Sequence, residues 1–583
     1  MIRDRIEKLL REALNQLKKE GKLGDFELGT IALEHPENKD YGDYSSSIAL
    51  ALAKQQKKNP LAMAKEIVDE LNKSKPDWLA DVKAVAPGFV NMRLSQKTLV
   101  EELQKISIEQ SAYGKNAALG GKRFMIEFAH PNTHKEMHIG HMRTLVTGEA
   151  LSRVLEFSGA KVFRANYQGD IGPHVAKAIW GTQKILEERA MSWESAEEMN
   201  SMEKAHLLGQ GYVRGNQAYE EHKEEIDALN KKLYARAQEL QDVYERTRKW
   251  SLEYYDLFYR RFDTSFDKFY FESEVAEKGK QIVQENLGKV FERSEGAVIF
   301  DGEKYGLHKR VFITKDGNPT YEAKEIALAP LQYADFPFDL NVHVVANEQS
   351  GYFQVIFRAL ELVDEKFKGK EYHLAMGMVN LVGKKISSRT GVVITVDGLL
   401  DEVKELLSPL VDNQKHNEKE IEHIKEVCTV AAVKYSVLHT DTKSNAMFDM
   451  QKSVSLDGDS GPYLLYTYAR CKSVLRKAEE ADFNLKQRDL KEMPYTEEER
   501  ALMRLAYQFP EVARAAAEKF APHLICSFAF EIAQAYNAFY NKHKILQAET
   551  EDQKQFRLLL TGATAQLLKN SLRLLGIQAL EKM

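Results

Sequence analysis

An α/β fold with a doubly wound, mostly parallel sheet at its centre is predicted by three observations. Residues 123–167 read as strand, loop, helix and strand in immediate succession. Downstream of Phe266, short apolar runs bounded by turns (FDKFYFESEV, VIFDGEK, RVFITKDG, NVHVVANEQS) alternate with helical stretches such as EAKEIALAPLQY and GYFQVIFRALELV. From about Gln451 onward the sequence is wholly helical. A chain of 583 residues also exceeds one core, since single cores stop growing at roughly 250–300 residues. The expected organisation is an N-terminal α+β domain over 1–114, an α/β domain over 115–450 and an all-α domain over 451–583.

The first twenty residues, MIRDRIEKLLREALNQLKKE, place Ile2, Ile6, Leu9, Leu10, Ala13 and Leu17 at helical spacing and mix acids with bases, unlike a signal peptide. Asn59-Pro60 starts a second helix, with Asn as cap and Pro at the first helical position. Strands are expected at Val82–Val85 and Phe89–Arg93, around the Pro87-Gly88 turn.

In the central unit, Arg123–Ala129 reads as a buried strand, Pro131–Met137 as a loop and His138–Phe157 as a helix that Gly159 can end. Lys161–Tyr167 is the next strand, followed by the tight turn Gln168–Gly172. His138-Ile139-Gly140-His141 therefore falls at a helix N-terminus. The first turn there offers unpaired N–H groups and partial positive charge, which suit a triphosphate. Gly140 lacks a Cβ, so an adenine ring could approach the backbone, and two imidazoles add donors. From about Lys184 to Phe262 the chain is rich in Glu, Lys and Gln with spaced apolar residues, the pattern of a helical insertion with solvated faces.

Composition narrows the partners. Eighty-two Lys and Arg against 87 Asp and Glu give a net charge of −5, so nucleic-acid contact must rest on local basic patches. Cys428, Cys471 and Cys526 form no C-x-x-C pair, which argues against a zinc site or a disulfide framework; no metal-ligating residue is assigned. No apolar run approaches the roughly 20 residues that span a bilayer.

Pro131-Asn132, His138-Ile139-Gly140-His141, Arg143-Thr144 and Gly169-Asp170-Ile171-Gly172 together resemble the HIGH signature of class I aminoacyl-tRNA synthetases, and most closely the arginyl-tRNA synthetases. The resemblance implies a Rossmann-type catalytic domain over 115–450 with a helical insertion at about 184–262. It implies that His138, Gly140 and His141 bind ATP, and that Lys384-Lys385-Ile386-Ser387-Ser388-Arg389, bracketed by Gly383 and Gly391, is the KMSK-type loop. Within that loop Lys384, Lys385, Ser387 and Ser388 would contact ATP, with Lys385 catalytic. Ser388 stands where the second signature lysine is usual, and Lys135, three residues before His138, occupies the place where family members lacking that lysine carry one.

At the amino-acid end the resemblance implies Glu127 and Asn132 at the α-amino group, Glu272 at the guanidinium and Tyr321 on the side-chain wall. Glu325 occupies the usual Asp position, His130 stands where Ser is usual, and Gln354 is one position short of the usual Gln. A guanidinium suits such a set because it forks onto carboxylates. HPENKDYGDYSSSIALALAK and APGFVNMRLS resemble the family's N-terminal domain, which contacts the tRNA elbow; Phe89 and Asn91 are the expected contacts. The last helices, closing on LLGI and Met583, resemble its anticodon-binding domain, where Tyr536, Asn537, Phe539 and Tyr540 would stack on bases. The implied partners are tRNA(Arg), L-arginine and ATP with Mg²⁺, in a cytoplasmic monomer. A synthetase of other specificity and an inactive RNA-binding relative are the alternatives.

Overall fold

The computed structural model describes residues 1–27, 29–383, 394–411, 417–481 and 493–583. Helix α1 (Ile2–Lys19) buries Ile2, Ile6, Leu10, Ala13, Leu14 and Leu17, the stripe its spacing requires. It accompanies an antiparallel sheet of β1 (Leu33–Glu34), β2 (Tyr44–Ser46), β3 (Leu79–Val85) and β4 (Phe89–Leu94), in the order β1-β2-β4-β3. The Asn59 side chain accepts from the Ala62 N–H at 3.0 Å, with Pro60 opening the helix, so the expected cap is formed.

Strand β5 (Arg123–Glu127) leads through a loop into helix α2 (Ile139–Phe157), then β6 (Lys161–Gln168). Helices then run from Pro173 to Arg261, the last being α3 (Gln238–Arg261), before β7 (Lys268–Phe271) and α4 (Glu272–Glu285). There follow β8 (Glu292–Ser294), β9 (Ala297–Phe300), β10 (Arg310–Ile313), α5 (Tyr321–Asp335), β11 (Leu340–Ala346), β12 (Glu371–Met376) and, after it, the short parallel pair β13 (Val379–Leu381) and β14 (Ala446–Phe448). The central sheet is parallel throughout, in the order β12-β11-β5-β6-β7. The strand order reverses between β5 and β11, and doubly wound sheets open their binding crevice at that point, beyond the carboxyl ends of the strands. Period-2 alternation divides β5: Phe124 and Ile126 join the core that α2 packs against, while Met125 joins the core under α5.

Two of the four apolar runs read as sheet strands lie elsewhere. VIF and RVFI form β9 and β10 of a separate antiparallel sheet, β10-β9-β8. Their links are too short for parallel crossovers, and β8 and β9 are joined through Glu295 and Gly296, both at positive φ (47° and 85°), the backbone of a tight hairpin turn.

The C-terminal helices include α6 (Glu497–Glu518) and α7 (His523–Lys542), and α6 docks against the N-terminal domain. Glu511 accepts from Arg3 at 3.2 Å and from the Tyr44 hydroxyl, while Asp43, buried, pairs with Arg504 at 2.8 Å. Among the described residues no helix is long and apolar enough to cross a membrane.

Candidate active site

The loop between β5 and α2 carries three non-glycine residues at positive φ, Ala129 (76°), His130 (51°) and His134 (63°). Such backbone persists only where the surroundings hold it. Helix α3 does this. The Tyr255 hydroxyl meets the carbonyls of Asn132 (2.5 Å) and Lys135 (2.8 Å), the His134 N–H donates to Ser251 Oγ (2.9 Å), and His134 Nε2 lies 2.8 Å from Thr247 Oγ1. The insertion, read from sequence as charged solvated helices, thus carries the face that shapes the loop. Asp170 ties it to the sheet as well, accepting from Arg248, Tyr244 and both the N–H and hydroxyl of Ser273, next to Glu272.

At the start of α2 the two signature imidazoles cap the helix themselves. His138 Nδ1 accepts from the N–H groups of Gly140 (3.1 Å) and His141 (3.4 Å), His141 Nδ1 accepts from the His138 N–H (3.4 Å), and the rings stack at 3.7 Å. This corrects the expectation of unpaired N–H groups there: with the Ile139 N–H donating to the Ile394 carbonyl at 3.3 Å, all four from His138 to His141 are already satisfied. Since both Nδ1 atoms accept, a neutral ring carries its proton on Nε2, and two Nε2–H donors replace the backbone ones. Burial, reinforced by the Lys135 charge, pushes His138 down to about 4, and burial beside His138 holds His141 well below the usual histidine range. The room left at Gly140 is used by the same ring, for a Cβ there would lie 2.9 Å from His138 Cε1. Lys135 Nζ sits 4.2 Å over the Tyr212 ring. Lys384, Lys385, Ser387 and Ser388 lie outside the described residues.

At the sheet edge, Glu127 ends β5 and is buried. Its Oε1 meets His343 Nδ1 at 3.0 Å and its Oε2 accepts from the Gln332 amide. Burial alone would raise the Glu127 carboxyl, but His343 overrides it and holds the group below the usual carboxylate range. Glu272, the first residue of α4, pairs with Lys324 at 2.5 Å, both buried. A Cβ at Gly169 would fall 2.2 Å from Asn132 Oδ1 and 3.0 Å from Glu272 Oε1, so the missing side chain lets these two groups close on one space. Glu325 is driven well above the usual range by burial and then by the Glu127 charge; burial likewise raises Tyr167, with Glu272 and Glu325 adding to it, and Tyr352, with Glu325 adding to it. Tyr321 stands at the rim, 52% exposed, 5.0 Å from Lys324 Nζ. Gln354 is exposed, as a residue out of step would be. The structure therefore brings Glu127, Asn132, Glu272 and Glu325 together beside the start of α2.

Three family models match the chain in succession: the arginyl tRNA synthetase N-terminal domain over 4–94, the class I (R) tRNA synthetase catalytic domain over 102–450 and the DALR anticodon-binding domain over 464–583. The chain belongs to the arginyl-tRNA synthetases. The arginine–tRNA ligases of Treponema denticola and Bacteroides fragilis are 32% and 30% identical to it, over 95% and 94% of both chains. The Thermus thermophilus arginyl-tRNA synthetase shares its fold with a TM-score of 0.80 at 24% identity, covering both chains completely.

The tRNA-facing expectations of this synthetase fare unevenly. Tyr536 and Phe539 are wholly buried, so stacking on bases is corrected for both: their spacing is that of a helix core stripe. Asn537 is engaged internally, donating to Tyr463 and Thr467 and accepting from Arg470. Tyr540 is 39% exposed, with the Arg470 guanidinium 4.9 Å over its ring. In the N-terminal sheet Phe89 is half-buried, but Asn91 is buried and accepts from the Ser45 hydroxyl at 2.8 Å, which removes it from an exposed surface. Lys324, Gln332, His343 and Glu371 were not singled out in the sequence. His343 had a legible signal: a polar residue inside the apolar run NVHVV must find a buried partner.

Proposed function

We propose that this synthetase activates L-arginine on ATP and transfers it to the terminal adenosine of tRNA(Arg), with the α2 start binding the triphosphate and the Glu127–Glu272–Glu325 pocket binding arginine. The reading is carried by the gathering of Glu127, Asn132, Glu272 and Glu325 at the carboxyl edge of the sheet, near a helix start where two imidazoles leave Nε2 donors. A guanidinium needs several carboxylate acceptors, and a triphosphate needs donors and positive charge.

The arginine carboxylate attacks the α-phosphorus of ATP, an α-phosphorus–oxygen bond to the leaving group breaks, and pyrophosphate departs. His138 and His141 donate from Nε2 to phosphate oxygens as neutral groups. Lys135 supplies a fixed positive charge, with Lys385 as its counterpart on the leaving group. ATP enters as its Mg²⁺ complex, the cation belonging to the substrate; among the described residues no group of three or more His, Cys, Asp or Glu could hold a metal. Asn132 and Glu127 serve the α-amino group, Glu272 and Glu325 the guanidinium, and Tyr321 the side-chain wall. The 2′-hydroxyl of the tRNA's terminal adenosine then attacks the activated carbonyl and AMP leaves. The two flanking units, 1–114 and 451–583, face the tRNA, with Phe89 and Tyr540 offering aromatic surface. The enzyme acts as a monomer in the cytoplasm.

Aminoacylation assayed with each of the twenty amino acids tests this reading. Charging with arginine alone is expected, together with ATP–pyrophosphate exchange only when tRNA is present. Charging with another amino acid, or with none, rejects it.

A further inference from the structure

Behind the arginine pocket lies a buried polar chain. Asn341 donates to Gln332 (3.0 Å), Gln332 donates to Glu127, and His343 bridges Glu127 (Nδ1, 3.0 Å) and Glu371 (Nε2, 2.7 Å). His343 is the fourth residue of β11 and Glu371 the first of β12, while Glu127 ends β5. In the parallel register His343 lies directly opposite Glu127. All three side chains are at most 4% exposed. An imidazole between two buried carboxylates is held as the doubly donating cation: burial would lower it, but Glu127 and Glu371 keep it well above the usual histidine range.

We propose that His343 is a positioning residue for arginine: clamped between Glu127 and Glu371, it keeps Glu127 oriented and ionised for the substrate's α-ammonium group. This rests on the reading that Glu127 serves that group. The need for such a device is set by the surroundings. Glu127 shares its neighbourhood with Glu325, Glu371 and, farther off, Glu272, and like charges at close range force one carboxyl to take up a proton. A protonated Glu127 would no longer attract an ammonium. The His343 cation, with the Gln332 amide on the other oxygen, ensures that the proton goes to Glu325 or Glu371, which are both raised, and not to Glu127, which is lowered. The titratable groups that face His343 are Glu127 from β5, His130 from the following loop, Glu325 from α5, and Glu371 and His373 from β12.

The test uses the full-length enzyme, arginine, and the des-amino analogue of arginine as a competitive inhibitor, which keeps the guanidinium and carboxylate. For His343→Gln we expect the arginine KM at pH 7 to rise by about 10- to 100-fold, the range of a lost charge-assisted hydrogen bond. The analogue's inhibition constant and the ATP KM should stay within about twofold. The arginine KM of the variant should also fall back as pH is raised towards 8.5, because Glu127 re-ionises. Glu371→Gln retains the shape and an acceptor but removes the second charge, and should give a smaller rise with the same selectivity; it decides the matter if His343→Gln fails to fold. Equal weakening of arginine and analogue, or weakening of neither, overturns the proposal. Glu127→Gln separates the two levels: if that variant does not favour the analogue over arginine, the reading of Glu127 is itself wrong, whereas selectivity in Glu127→Gln without selectivity in the His343 and Glu371 variants overturns only the positioning role.

Discussion

At the start of α2, two histidines are stripped of charge and the positive charge comes from Lys135; at the carboxyl edge of the sheet, carboxylates are packed together and kept in hand by His343, Gln332 and Lys324. In the proposed reading the first region meets a triphosphate, which brings about four negative charges of its own, so neutral donors and one or two fixed cations suffice. In the same reading the second meets a cation, and has to store negative charge in the absence of that cation without losing it to protons. What the contrast teaches is that the phosphate end depends on where donors are held, and the arginine end on which carboxyls are ionised.

The largest effect that could break this contrast is at Lys135. We expect Lys135→Ala to slow adenylate formation by roughly 10²–10³-fold, comparable to removing one preorganised donor, with smaller changes in the Michaelis constants. Ser388→Lys should restore part of the rate in that background and add little in the intact enzyme. Pre-steady-state adenylate formation in the four proteins decides it; simple additivity would mean that the two positions do not share a task.

Next comes Glu325→Gln, expected to weaken arginine use by more than about 2 kcal/mol while leaving ATP affinity alone. Because the Glu325 carboxyl is raised so far in the free enzyme, arginine binding should also release a proton, visible by calorimetry in buffers of different ionisation enthalpy. Unchanged arginine KM and turnover would place Glu325 outside the site, and no proton release would show that Glu325 is already ionised before arginine binds.

Acid stability sharpens the other side. Burial pushes His134 down to about 3, against an ordinary value of 6.5. As pH falls below about 6.5 the unfolded chain takes up a proton that the folded chain refuses, so stability is present above 6.5 and is lost towards pH 3, by about 1.4 kcal/mol per pH unit for such a group. Denaturant midpoints at pH 7 and pH 5 should differ less in His134→Gln than in the parent; an equal difference would show that His134 does not titrate as described. The smallest expected effect is at Tyr255→Phe, which removes one hydroxyl from the loop carbonyls and should cost about 1 kcal/mol of stability with a raised KM for both ATP and arginine. A change confined to one substrate would show that the loop is not shared between the two ends.

The helix start at His138 was legible because everything that makes it is local: an apolar stripe of period 3.6, a terminating Gly159, and a cap within three residues. Asn59 and its Pro60 were legible for the same reason. Runs such as VIF and RVFI announced burial but not which sheet they would join, since that depends on crossover length and on the turn at Glu295. Aromatic residues at Tyr536 and Phe539 read equally well as a binding face or a core face until the packing of α7 is known. The His343–Glu371 pairing joins residues 28 positions apart through the register of two parallel strands, and the grip of Tyr255 on the loop spans 120 positions, so neither could be read from spacing.

The docking of α6 on the N-terminal sheet sets a schedule for the newborn chain. Arg3 and Glu511 are separated by 508 positions, and Asp43 and Arg504 by 461. At about 5–20 residues per second, the N-terminal domain waits roughly 25–100 s for the helix that covers Tyr44 and neutralises Asp43. During that interval its inner face is open to water and to other nascent chains, and a product that stops short of Glu497 keeps it open for good.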